Sequence, residues 1–170
     1  MLMQNFEFIN GIWKGKIELK IWNDFFNQDE MIDLNIGGDL KITEIKEIHK
    51  LTYDYIVCNQ EKLLNNIIDE LMKKYPKMQE EYGYELEEIE EYMPNVNKSE
   101  DFKKLLTPKR IYILDIEKEG VAYVGFHFSC VWDEEHDFGV MIHKEKIVKM
   151  GGAEVAFLSW IAQDDKEKIE

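Results

Sequence analysis

The chain has 170 residues, of which 35 are acidic and 21 basic, so its formal net charge at pH 7 is −14. This charge would repel a phosphate backbone, which disfavours nucleic-acid binding, and no run of about 18 apolar residues is present to cross a membrane. The N-terminus lacks the apolar stretch of a secretory signal, so we expect a cytoplasmic location and reduced thiols at the two cysteines.

The first forty residues predict β-strands. Between residues 15 and 22, apolar and charged positions alternate, which is the period-2 pattern of a half-buried strand. A shorter strand is predicted at residues 6–8, with turn chemistry at Asn10 and Gly11 after it, and residues 32–36 alternate in the same way. An antiparallel meander is the simplest arrangement of these segments.

The middle third has the spacing of helices. Thr43 is expected to cap one helix and Asn59 a second, whose apolar residues recur at the interval of a core-facing stripe. Pro76 is expected to end the second helix. Residues 80–91 predict a further helix, and Ser99 can cap a short one. The apolar side of this helix would consist of Tyr82, Leu86, Ile89 and Met93.

The last third returns to period 2. A strand over residues 121–132 would place its even-numbered side chains on one apolar face. A polar loop at 133–137 leads to a strand at 138–143, and a turn at 144–146 leads to another strand. Residues 153–162 predict a closing helix or an irregular tail.

These segments predict a single α+β domain over residues 1–170. Neither strand-rich end can bury an apolar face alone, so we expect one antiparallel sheet built from the N- and C-terminal thirds. The helices of the middle third would pack on one face of that sheet.

The polar loop allows a metal hypothesis. If its five residues alone connect the two strands, Trp132 faces Phe138, and His127 becomes the cross-strand neighbour of His143, with Cβ atoms about 4.5–5.5 Å apart. Two such imidazoles can share a metal ion with a carboxylate as a third ligand, and His136 in the loop is a further candidate. Spacing fixes no further ligand, so we expect no metal and no cofactor. A metal-binding protein or a hydrolase that uses the histidines and carboxylates around residues 127–143 is the alternative.

The sequence contains no complete catalytic motif. An EF-hand loop, a His-Glu-x-x-His helix, a glycine-rich phosphate loop and a Gly-x-Ser-x-Gly elbow are all absent. We therefore expect no enzyme activity, and we expect the Asp133 carboxylate to cap the loop backbone while the neighbouring charges stay in water.

An acidic stretch that contains no basic residue favours protein binding. Residues 80–91 hold seven glutamates and no basic residue. Like charges three or four positions apart repel by a few tenths of a kcal/mol, and the stretch itself contains no lysine to relieve them. This cost is expected where a basic partner supplies the missing charge, and a solvated helix face is the alternative. The predicted binding residues are Glu80, Glu81, Glu85, Glu87, Glu88, Glu90 and Glu91.

The C-terminal part carries a resemblance. Residues 123–128, 130–136 and 139–140, with the glycines at 151 and 152, resemble a family of uncharacterised bacterial domains with a Trp-Asp-x-Glu-His-Gly-x-Gly-Val signature. That family usually has glycine where this chain has Asp137. Some relatives look like immunity or accessory proteins of contact-dependent toxins, so the resemblance implies an immunity protein with a basic, toxin-like partner. It marks as signature residues Trp132, Asp133, Glu135, His136 and Gly139.

Overall fold

Strands from both ends of the chain join in one sheet. The computed structural model describes residues 5–168, and its seven strands lie in sequence order across the sheet. All neighbours are antiparallel except β3 and β4, which are parallel because the helical middle third returns the chain to the same end of the sheet. The α+β prediction is confirmed. The strands are β1 (Glu7–Ile9), β2 (Ile12–Ile17), β3 (Ile32–Gly37), β4 (Leu106–Lys118), β5 (Val121–Cys130), β6 (Phe138–His143) and β7 (Lys146–Gly151).

Helices pack on both faces of the sheet. Helices α1, α2 and α3 pack on the first face, and the C-terminal α5 packs on the second. Within residues 5–168, none of the helices has the length and apolar character needed to cross a bilayer. The helices are α1 (Lys20–Phe26), α2 (Glu47–Cys58), α3 (Gln60–Tyr82), α4 (Leu86–Tyr92) and α5 (Ser159–Glu167), with 3₁₀ helices at Ser99–Lys104 and Ala153–Ala156.

The larger core lies on the first face and is rich in aromatic rings. The even-numbered side chains of β5 point into it, as their alternation predicted. The Trp22 ring from α1 stacks on two of them, with centroids 5.0 Å from Phe126 and 5.9 Å from Phe128. Burial of such large rings is a main contribution to the stability of the sheet.

The strand expected over residues 15–22 ends at Ile17, and α1 follows. Two hydrogen bonds to the start of α3 hold α1 in place. The Ile21 N–H donates to Gln60 Oε1 at 2.9 Å, and the Trp22 indole N–H donates to the Gln60 carbonyl at 2.8 Å. The period-2 pattern was misleading here because these tertiary contacts outweigh local strand propensity.

Helix α2 begins at Glu47, so the expected cap at Thr43 is wrong. The backbone N–H of Lys46 instead donates to His49 Nδ1 at 3.0 Å. The buried His49 also lies beside Asp115, with Nε2 3.0 Å from Oδ1. Burial lowers the pKa of His49, although Asp115 opposes that shift. His49, the one histidine that was not a candidate metal ligand, therefore has a structural position at the start of α2.

Helix α3 continues through Pro76, which was expected to end it, and stops before Gly83 at φ 64°. Two contacts hold the turn around the proline. The Tyr75 hydroxyl donates to the Pro94 carbonyl at 2.8 Å, and Gln79 Nε2 donates to the Met93 carbonyl at 2.8 Å. Tertiary hydrogen bonds thus offset the cost of a proline inside the helix.

The hairpin between β5 and β6 has a different register from the expected one. Phe128 pairs with Phe138, so His127 lies opposite Gly139 and not opposite His143. The two registers differ by four residues, and an even shift leaves every side chain on the same face. Burial could not distinguish them. The longer connection places Asp137 at φ 57°, a conformation that favours glycine and matches the residue usual in the resembling family.

Candidate functional site

Trp132 of the signature lies in the core. Its side chain is 1% exposed and meets Tyr75 and Phe138 edge-on, with ring centroids 5.8 Å away in each case. The ring therefore joins α3 to the sheet. Core packing alone therefore explains why a tryptophan occupies this position.

Asp133 caps the loop, as predicted. Its carboxylate accepts hydrogen bonds from the Tyr82 hydroxyl at 2.7 Å and from the His136 backbone N–H at 3.1 Å, and His136 Nδ1 lies 3.0 Å from it. Partial burial alone would raise the pKa of Asp133, but these hydrogen bonds outweigh it and lower the pKa. The hydrogen bond and charge of Asp133 raise the pKa of His136. Asp133 thus fixes the loop and also holds the end of α3.

Gly139 allows two backbone segments to approach closely. A Cβ atom at this position would lie 2.4 Å from the Gly152 carbonyl oxygen and 3.0 Å from that of Ala153. The Ala153 N–H also donates to the His136 carbonyl at 2.9 Å. The signature glycine therefore docks the chain after β7 against β6. Glu135, the remaining signature residue, is exposed.

The structure does not bring the three candidate metal-binding histidines together. His127 Nε2 lies 2.7 Å from Asp137 Oδ2, His136 contacts Asp133, and His143 Nε2 donates to the Lys118 carbonyl at 2.7 Å. In the part of the chain that the structure describes, no three or more His, Cys, Asp or Glu side chains are grouped to hold a metal ion. The expected pairing of His127 with His143 is wrong because of the hairpin register.

All seven predicted binding glutamates are exposed. The helix expected over residues 80–91 is interrupted at Gly83, so the glutamates follow the end of α3 and then α4. Glu87 and Glu88 occupy the first turn of α4, where the helix dipole stabilises acidic groups, whereas Glu90 and Glu91 lie near its end, where the dipole opposes them. Among residues 5–168, none of the seven carboxylates forms an ion pair with a lysine, arginine or histidine.

Leu86 lies in the middle of these glutamates and is 87% exposed. Its spacing with Ile89 and Met93 predicted a shared apolar side, yet only Ile89 and Met93 pack into the core. Tyr82, also in this stretch, is 40% exposed. We name residues 80–91 the acidic surface. The sequence pattern did not predict that this surface has an exposed apolar centre. The only signal in the sequence is a leucine that lies between glutamates.

Two tyrosines attach the acidic surface to the signature loop. The Tyr84 hydroxyl donates to the Trp132 carbonyl at 2.6 Å, and the Tyr82 hydroxyl donates to Asp133. The two tyrosine rings stack, with centroids 6.1 Å apart and planes within 2° of parallel. The acidic surface and the signature loop therefore form one connected region, which sequence spacing could not reveal.

A groove of about 460 Å³ lies beside this region, between α3 and the β6–β7 edge. Its floor includes Trp132, Phe138 and Met150, and Tyr82 of the acidic surface contributes to one end. Three lysines of α3 line its other side. The groove extends the region next to the signature loop with apolar surface.

A family comparison agrees with the expected kind of family. The model of a family described as "Domain of unknown function (DUF6985)" matches residues 6–158, which is most of the chain. No curated protein and no solved structure matches the chain.

Proposed function

Because the chain belongs to this family of domains of unknown function, we propose a function from its own surface: it is an acidic protein-binding domain with a basic partner. We further propose that the partner is a toxin and that the chain is the immunity protein that neutralises it. The acidic surface would cover the basic region through which the toxin acts.

The observation that carries this proposal is the exposed Leu86 within seven exposed glutamates. Protein interfaces obtain most of their affinity from a few side chains near the centre, often aromatic, with polar groups around them. Leu86 and Tyr82 have that central position in the acidic surface. The glutamates around them would accelerate association with a basic protein and disfavour acidic competitors.

The attachment of the acidic surface also supports the proposal. Hydrogen bonds from Tyr82 and Tyr84 fix it to the signature loop, and Ile89 packs α4 onto the core. A surface that is already ordered loses less conformational entropy when a partner binds. The signature residues would then serve binding indirectly, because they hold the acidic surface in place.

A salt-graded pull-down from the native host tests the proposal. The wild-type chain is compared with a quadruple glutamine variant of the acidic surface and with a control that makes the same charge change at exposed glutamates elsewhere. The acidic-surface variant carries Glu87→Gln, Glu88→Gln, Glu90→Gln and Glu91→Gln, and the control carries Glu18→Gln, Glu44→Gln, Glu100→Gln and Glu117→Gln. We expect the wild type and the control to retain one basic protein that the acidic-surface variant releases at lower salt.

Leu86→Ser separates the apolar contribution from the charges. This variant should weaken retention at every salt concentration, since salt does not screen an apolar contact. The retained protein is then expressed in host cells with and without the chain. Protection of growth by the wild type, and weaker protection by the two acidic-surface variants, is the result expected of an immunity protein.

Two results would contradict the proposal. The acidic surface is not the binding site if the quadruple variant retains the partner as tightly at low salt as the wild type. The immunity function is wrong if the retained protein does not impair growth when expressed alone.

A further inference from the structure

The second face of the sheet is covered over only part of its width. The 3₁₀ helix Ala153–Ala156 and α5 pack against side chains such as Tyr123 and Met141 of the later strands. On β2, β3 and β4 the same face borders an open cavity of about 610 Å³. Ligand sites have volumes of about 300–1,000 Å³, so the cavity is large enough for a small molecule.

Strand register places a row of charged side chains along this cavity. Lys16 pairs with Asp33, and Asp33 pairs with Arg110, the only arginine in the chain. Lys16 Nζ lies 3.1 Å from one Asp33 oxygen, and a terminal nitrogen of Arg110 lies 3.4 Å from the other. The Asp33 carboxylate is thus shared between two cations, and most N–H donors of the Arg110 guanidinium do not contact it.

One cavity-lining residue has a buried donor that lacks a partner. Arg110 Nε is buried, and no group among residues 5–168 accepts a hydrogen bond from it. The Asn35 side chain also lines the cavity, and the residue is 7% exposed. A buried donor without an acceptor is costly, so the unpaired Arg110 Nε–H indicates that something else supplies its acceptor.

We propose that this cavity binds a small anion through a carboxylate or phosphate group. The oxyanion would accept hydrogen bonds from the Arg110 guanidinium, including Nε, and from the Asn35 amide, while Lys14 and Lys16 add positive charge. Arginine is well suited to such a group because its planar donors match two oxygens at once. Asp33 orients Arg110 and Lys16 for that contact.

The local charge supports an anion. Three cationic side chains line the cavity, Lys14, Lys16 and Arg110, against two anionic ones, Glu7 and Asp33. The cavity therefore has an excess of one positive charge in a chain whose formal net charge is −14. None of its lining residues belongs to the acidic surface, so this site is independent of the proposed protein binding.

The test is an NMR titration of the full chain with inorganic phosphate and, separately, with succinate. Each is raised to about 10 mM, tenfold above a millimolar Kd, with sodium chloride of equal ionic strength as reference. We expect saturable shifts of the Asn35 side-chain amide and the Arg110 Nε–H signals with at least one probe. The probe that binds more tightly distinguishes a phosphate site from a carboxylate site.

Variants show whether the shifts report this cavity. Arg110→Gln should weaken binding about tenfold or more, as read from the Asn35 amide, because a charge-assisted contact is lost. Lys14→Glu reverses an exposed charge at the rim and should weaken binding even if Arg110→Gln folds poorly. Lys50→Gln, on the exposed side of α2, is the control and should bind as the wild type does.

The proposal is overturned if neither probe shifts the two signals more than sodium chloride does. It is also overturned if Lys14→Glu and Lys50→Gln bind the probe with equal affinity, since the anion would then be held elsewhere.

Discussion

Replacing Trp132 with alanine should remove a large part of the stability of the fold. The ring is 1% exposed and lies between Tyr75 of α3 and Phe138 of β6. A buried aromatic side chain removes about 150–250 Å² from water, which corresponds to about 4–6 kcal/mol at ~25 cal/mol per Å². That value is an upper bound because the unfolded chain also buries part of its surface. Measured Trp→Ala and Phe→Ala substitutions in cores cost about 3–5 kcal/mol, which agrees with it.

Urea unfolding followed by far-UV circular dichroism measures the loss without depending on tryptophan fluorescence. In thermal unfolding of a chain of this length, each kcal/mol of lost stability lowers Tm by about 2–4 °C, so Trp132→Ala should lower Tm by about 6–20 °C. Trp160→Ala is the matched control. That ring is 52% exposed, and Lys149 Nζ lies 5.0 Å from its centroid, so its loss should cost no more than about 1 kcal/mol. Equal losses in the two variants would refute the assignment of Trp132 to the core.

Three further predictions concern the signature loop and the acidic surface. Gly139→Ala should cost about 1–3 kcal/mol in the free energy of unfolding, because its Cβ would lie 2.4 Å from a backbone oxygen that cannot easily move, and urea titration measures it. Leu86→Ser should leave the urea midpoint nearly unchanged, whereas Ile89→Ser should lower it, since only Ile89 packs into the core; equal effects would contradict the exposure of Leu86. Asp133→Asn should destabilise the fold most between about pH 4 and pH 6.5. Because the pKa of Asp133 is lowered, its carboxylate stabilises the fold above the pKa that the carboxyl has in the unfolded chain. Because the pKa of His136 is raised, its imidazolium stabilises the fold below the pKa that the imidazole has in the unfolded chain. In urea titrations across pH, the difference from the wild type should shrink as pH falls through the pKa of Asp133 and as it rises through that of His136; a constant difference would contradict this pairing.

The candidate site could be predicted in part. Exposure of the seven glutamates followed from the cost of burying unpaired charge, and the capping role of Asp133 followed from loop chemistry. The exposed position of Leu86 did not follow, because its helical spacing with Ile89 and Met93 is equally compatible with burial. Arg110 and Asn35 were missed as well, since only the pairing of distant strands places them beside one cavity.

The sequence by itself determined the local features of the fold. Alternation assigned the faces of β3 and β5, because side chains in any strand point to opposite sides in turn. Asn10 and Gly11 marked their turn, where both residues have positive φ in the structure. Each of these features depends on residues that are close in the chain.

Only the tertiary structure decided the remaining features. The β5–β6 register differs from the expected one by an even number of residues, so the same side chains face the core in both and alternation cannot distinguish them. Residues 20–26 are helical because of contacts with Gln60, and α3 passes Pro76 because Tyr75 and Gln79 bond to residues beyond it. In each case the deciding free energy comes from groups distant in sequence, which a local pattern does not contain.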